Sequence, residues 1–184
     1  MTRQLAHDIL TRHLTNQNLL KHCLAAEATM RALATYFGED ENVWGITGLL
    51  HDADYEMCKG HPEQHGLLLF EKEPNTIPSV IEHAIKAHNY MYTHINPESR
   101  LDWAITCCDQ LTGLIVAATL IHPDKKINSV TLEFLMNRMK QKDFAKGADR
   151  TQIYLCQEKL GIPLIEFVTI TLTAMQSISG PLGL

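Results

Sequence analysis

The stretch Gly48-Leu-Leu-His51-Asp52-Ala-Asp54-Tyr55-Glu56 sets an imidazole beside a carboxylate at the point where an apolar helix runs out. Neighbouring helical side chains leave the axis about 100° apart, so His51 and Asp52 can act on one atom only if it lies between their two directions. A divalent metal ion suits that place. A metal held for chemistry takes at least three protein groups and keeps a position for water, so further ligands must come from other segments. The chain has a second His-Asp pair, His7-Asp8, which lacks an apolar lead-in and is assigned to solvent. His51-Asp52 instead closes the run Val43-Trp-Gly-Ile-Thr-Gly-Leu-Leu50, which reads as a buried helix whose glycines permit close packing.

The elements that must position such a site read as helices throughout, so the expected fold is an all-α, single-domain helical bundle. No alternating strand pattern, low-complexity segment or internal repeat interrupts that reading. Helices are expected over 3–14, 18–37 with Gly38 as its cap, 41–50, 62–71 and 78–87 with prolines in their first turns, and 98–121. After Pro123 come helices over 129–140, 150–160 between Asp149 and Gly161, and one begun by Pro163. Phe167-Val-Thr-Ile-Thr-Leu-Thr alternates like a strand, but it also fits a helical face and has no second strand to pair with. Residues 123–184 form a C-terminal helical extension packed on the core.

Several chemical side chains ride on these helices. His22 lies near the start of the second. His61 and His65 flank the 62–71 helix four residues apart, but His61 precedes it and loses the shared face, which leaves His65 the stronger candidate. His88 ends the 78–87 helix, whereas His83 points elsewhere. Asp109 sits in the apolar row of the longest helix, and an unpaired carboxylate there would cost several kcal/mol, so it needs a partner that a metal would supply. Trp44, Trp103 and Cys107-Cys108 read as packing.

The 184 residues are 45% hydrophobic and 20% charged, ordinary values for one globular domain. A net charge of −5 argues against general nucleic-acid binding. Five cysteines without a C-x-x-C pair suggest neither a disulfide framework nor a zinc knuckle. The N-terminus lacks the apolar region of a signal peptide, and the apolar run 114–121 falls short of the ~20 residues a membrane span needs, so a cytoplasmic protein without membrane contact is expected.

The order His22, His51-Asp52, Asp109 resembles the H…HD…D signature of the HD superfamily of metal-dependent phosphohydrolases. Gly48-Leu-Leu-His-Asp-Ala-Asp-Tyr-Glu, Ala84-Ile-Lys-Ala-His-Asn, Asp109-Gln-Leu-Thr-Gly-Leu-Ile-Val-Ala and Pro123-Asp-Lys-Lys are similar to an HDIG-type subgroup of bacterial predicted hydrolases, over nearly the whole chain. The resemblance implies His22, His51, Asp52 and Asp109 as ligands of one divalent ion. Such a mixed N/O set suits Mn²⁺, Fe²⁺, Co²⁺ or Ni²⁺, with zinc and magnesium also admissible. It further implies that His65 and His88, with His61 beside them, hold either a second ion or substrate phosphate. The ion would polarise a phosphoryl oxygen and lower the pKa of a water, while His65 or His88 stabilises the leaving oxygen. Some nucleotidase relatives carry a Glu three residues after the HD aspartate. Tyr55 stands there in this chain, which makes Asp54 the substitute catalytic candidate beside His88, with Glu56 or attack without a carboxylate as the alternative.

The segment Lys140-Gln-Lys142-Asp-Phe-Ala-Lys146-Gly-Ala-Asp-Arg150 also looks like that subgroup, and it reads either as a solvated face or as a substrate-docking patch of Lys140, Lys142, Lys146 and Arg150. Two functions follow as expectations. One is hydrolysis of a phosphomonoester or phosphodiester, the substrate being a small phosphorylated molecule such as a nucleotide. The other is a non-catalytic, metal-stabilised module that binds such a ligand.

Overall fold

Side-chain caps decide where most of the long helices begin. In the computed structural model, which describes residues 1–184, Thr2, Asn16 and Asp40 accept from the first free backbone N–H groups of α1 (Arg3–His13), α2 (Gln17–Phe37) and α3 (Glu41–Leu50). Gly38 ends α2 at φ 71°, a left-handed conformation that glycine adopts without steric cost. A run of turns leads from His51 to a 3₁₀ turn (Pro62–Gln64), followed by α4 (Leu68–Lys72), α5 (Ser79–His88) and the single-turn α6 (Tyr90–Thr93).

Ser99 and Asp102 form a reciprocal capping box at the start of α7 (Arg100–Ile121). Beyond it lie α8 (Leu132–Met139), α9 (Arg150–Leu155), a π turn (Cys156–Leu160), α10 (Leu164–Ser177) and α11 (Ser179–Leu182). There is no strand, and the fold is all-α. The threonines of α10 are accommodated because Thr169 and Thr171 donate their hydroxyls back to the carbonyls of Ile165 and Phe167.

One expected helix is broken. Residues 62–71 divide into a 3₁₀ turn and α4, because Gly66 takes φ 85° and the Asp54 carboxylate accepts from the N–H groups of both Gly66 and Leu69. The 129–140 helix likewise starts later, at Leu132, where Thr131 caps it.

Two apolar clusters fill the interior. The smaller joins α1, α3 and α5 through residues such as Ile9, Leu49 and Ile81, and the larger joins α2, α7, α9 and α10 through Leu33, Leu111, Ile153 and Phe167. Helix α7 is long and apolar enough to cross a bilayer, but most of its most apolar stretch is buried beneath its neighbours. Helices α2 and α3 pack closely, and Gly48 is what lets them: a Cβ there would lie 2.6 Å from the backbone oxygen of Ala26. That contact brings the end of α3, with His51 and Asp52, up against α2 and His22.

Candidate metal centre

Four histidines from four separate segments turn the same nitrogen toward one carboxylate. The reason lies behind each ring. His51 directs Nδ1 at the Gly48 carbonyl at 2.8 Å, His88 directs its own at the Ile85 carbonyl, and His65 directs its own at Asp54 Oδ1 at 2.8 Å. His22 Nδ1 faces the Thr112 hydroxyl at 3.3 Å, and that hydroxyl already donates to the Asp109 carbonyl, so it accepts from the ring. Protons held on Nδ1 leave the Nε2 lone pairs facing inward. This is how partners behind a ring fix the tautomer of metal-binding histidines.

The inward nitrogens then meet in pairs. His22 and His51 bring Nε2 atoms to 3.2 Å, and His65 and His88 bring theirs to 3.1 Å. Two acceptor nitrogens at such distances repel unless a cation lies between them. Asp52 stands between the pairs: Oδ2 is 3.5 Å from His22 Nε2, while Oδ1 is 3.4 Å from His51 Nε2, 3.2 Å from His65 Nε2 and 3.8 Å from His88 Nε2. Asp109 Oδ1 completes the first group, 2.9 Å from His22 Nε2 and 3.6 Å from His51 Nε2. Metal–ligand bonds of about 2.0–2.2 Å put neighbouring ligand atoms about 3 Å apart in octahedral and about 3.4 Å apart in tetrahedral coordination. His22, His51 and Asp52 match that spacing and can hold a metal ion, with Asp109 Oδ1 close to both nitrogens, and Asp52, His65 and His88 form a second such group sharing Asp52.

The electrostatics carry the same message. Burial lowers the His22 pKa, but its hydrogen bond to Asp109 and the charges of Asp52 and Asp109 outweigh burial and raise it to about 9. Burial also opposes His65, whose bonds to Asp52, Asp54 and Cys58 lift it to about 12. Asp52 is pushed up by burial, yet the imidazoles gathered round it, His51 first and then His65, His88 and His22, hold it well below the usual carboxylate range. One ring of each pair thus takes up the cation, as a proton, that a metal would otherwise supply.

Of the residues read from the sequence, His22, His51, Asp52, Asp109, His65 and His88 come together, and all except His51 line a cavity of about 750 Å³. The others do not join them. His61 is exposed and pairs with Glu63, since it lies outside the 3₁₀ turn that carries His65 inward. Asp54 is no free base, because its two oxygens are occupied by His65 and the N–H groups of Gly66 and Leu69; it sits behind His65 and orients it. Glu56 is bound to the backbone of Thr15 and Asn16, away from the cluster.

The basic segment forms no docking patch. Lys140, Lys142 and Lys146 are exposed and do not line the cavity, with Lys146 paired to Asp143. Arg150 points into its own loop, where it donates to the carbonyls of Met139, Gln141, Phe144, Ala145 and Ala148. A guanidinium with five backbone partners holds a loop and has no donors to spare for a phosphate.

Gln110 and Thr112 were not anticipated. Gln110 donates to Asp109 Oδ2 at 2.7 Å and accepts from the Asp149 N–H at 2.9 Å, so it ties the ligand to the loop that walls the cavity. Their sequence signal is slight: both follow Asp109 within one helical turn. No family model, curated protein or solved structure matches the chain.

Proposed function

We propose that this chain is a metal-dependent phosphohydrolase of the HD type, acting on a small phosphorylated molecule such as a nucleotide. The observation that carries the reading is the convergence of four Nε2 atoms on Asp52, with Asp109 closing the first group, in the order of the HD signature. His22, His51, Asp52 and Asp109 would hold one divalent ion, with the mixed N/O set favouring Mn²⁺, Fe²⁺, Co²⁺ or Ni²⁺ over an all-oxygen magnesium site. His65 and His88, with Asp52 shared, would hold a second. Ions so held polarise a phosphoryl oxygen and lower the pKa of a bound water.

The protein's own contribution is orientation. Asp52 spans the two groups and fixes their separation, Asp54 keeps the His65 lone pair directed inward, and Gln110 holds Asp109 on the cavity wall. Where only the first group is filled, His65 Nε2 is the atom placed to hand a proton to the leaving oxygen, with Asp54 steadying its charged form.

The test is turnover. Metal-free protein supplied in turn with Mn²⁺, Co²⁺, Ni²⁺ and Mg²⁺ should release phosphate from monoester or diester substrates, and Asp52→Asn should lose at least about a hundredfold in kcat, as expected when a group acting on the transition state is removed. Metal and nucleotide binding without turnover would point to a non-catalytic binding module instead.

A further inference from the structure

The cavity around the cluster has a charge inventory that bears on what can enter it. None of the chain's 16 lysines and arginines lines it, whereas Asp52, Asp109 and Asp149 do. The adjoining groove, which shares Tyr55, His65 and Asn89 with it, contributes Lys59 together with Glu56 and so no net positive charge. Sites built for di- and triphosphates usually meet the extra phosphoryl groups with lysine or arginine. No lysine or arginine lines the cavity itself, so any ions at the Asp52 cluster are the cations its lining offers a phosphoryl group.

The exposed part of the cavity wall gives the second observation. Gly113 lies in the interior of α7, one turn beyond Asp109 and on the same face. A glycine inside a helix costs roughly 0.5–1 kcal/mol relative to alanine. Gly45 and Gly48 have packing reasons, because a Cβ at either would meet neighbouring atoms at 2.6 Å. Gly113 has none: a Cβ there would meet nothing within 4 Å, and the residue lines the cavity. What its missing side chain preserves is open space beside a metal ligand.

We infer that the site is built for a substrate with a single phosphoryl group and an uncharged, nucleoside-sized body lying over Gly113, and that Gly113 determines specificity by leaving room for that body. The inference rests on the phosphohydrolase reading for the position of the phosphoryl group at the ions. The half-exposed rings of Tyr55 and Tyr92 at the cavity wall, at 50% and 52% exposure, offer apolar faces and hydroxyls to a planar, neutral body.

Parent protein, Gly113→Ala and Gly113→Leu, each loaded with Mn²⁺, would be assayed with adenosine 5′-monophosphate, adenosine 5′-triphosphate and glycerol 2-phosphate. Binding of the two nucleotides would be measured by calorimetry. The parent should favour the monophosphate over the triphosphate by about tenfold or more in kcat/KM. Gly113→Leu should raise KM for the monophosphate by about tenfold while changing glycerol 2-phosphate turnover by less than about twofold, with Gly113→Ala between them. Equal handling of mono- and triphosphate, or a Gly113→Leu variant that affects both monoesters alike, would overturn the inference and leave the hydrolytic reading standing. Selective binding of the monophosphate with no turnover of any substrate would do the reverse. Neither binding nor turnover would overturn both.

Discussion

Which nitrogen each histidine turns inward is decided by the atom behind its other nitrogen. Asp54 is the clearest case, since its Oδ1 accepts from His65 Nδ1 while its oxygens also accept from Gly66 and Leu69. An asparagine there would turn an amide N–H toward a donor it cannot satisfy, at about 1–3 kcal/mol for the unpaired buried group. Asp54→Asn should therefore lower stability by that amount in denaturant titration and weaken binding at the His65–His88 group, while the His22–His51–Asp109 group keeps its ion. Unchanged stability and metal content would remove Asp54 from this role. At this scale His51-Asp52 was legible because an apolar run delivers it to a helix end, and Asp109 because a carboxylate in an apolar row demands a partner. Asp54 was misread for a physical reason: its spacing from Asp52 says that it is near the ion, but only the fold reveals that backbone N–H groups already occupy it.

Elements hold these residues at a common point through close approach, and two glycines separate the causes. Gly48 sits where α3 meets the backbone of α2, so Gly48→Ala must push the helices apart and carry His51 and Asp52 away from His22. We expect a loss of about 1–3 kcal/mol, the usual cost of overpacking, together with weaker metal binding. Gly113→Ala should instead gain about 0.4–1 kcal/mol, because open space receives the new methyl and the unfolded chain loses freedom. Thermal melts of the two variants test the difference in sign, and a shared sign would contradict it. The start of α9 was readable from Asp149, whose side chain acts locally. The break at Gly66 was not, since it depends on Asp54 twelve residues earlier. The loop before α9 was not either, because a run of lysines and arginine in sequence does not disclose that Arg150 turns inward to carbonyls while the lysines face solvent.

For the whole molecule, the cluster couples folding to protons and metal. His22, raised from 6.5 to about 9 in the metal-free fold, contributes stability that is complete below about pH 6.5 and is lost as pH rises through about 9. A metal needs the lone pair that this proton occupies, so metal binding must release protons, and metal affinity should climb with pH up to about 9. The rise in melting temperature on adding Mn²⁺ should consequently widen between pH 6.5 and 9, with a thermal scan at each pH as the check. A constant increment across that range would contradict the proton count at His22.

A titration of metal-free protein with Mn²⁺, following stoichiometry and affinity in the parent, Asp52→Asn and His88→Gln, tests whether Asp52 is shared by two ions. Asp52 lies between both nitrogen pairs and His88 belongs to one. The parent should bind two ions, His88→Gln should keep the one held by His22, His51, Asp52 and Asp109, and Asp52→Asn should lose affinity at both positions. A parent that binds no Mn²⁺ in the micromolar range, or an Asp52→Asn variant that binds it as the parent does, would rule out a metal centre built on Asp52.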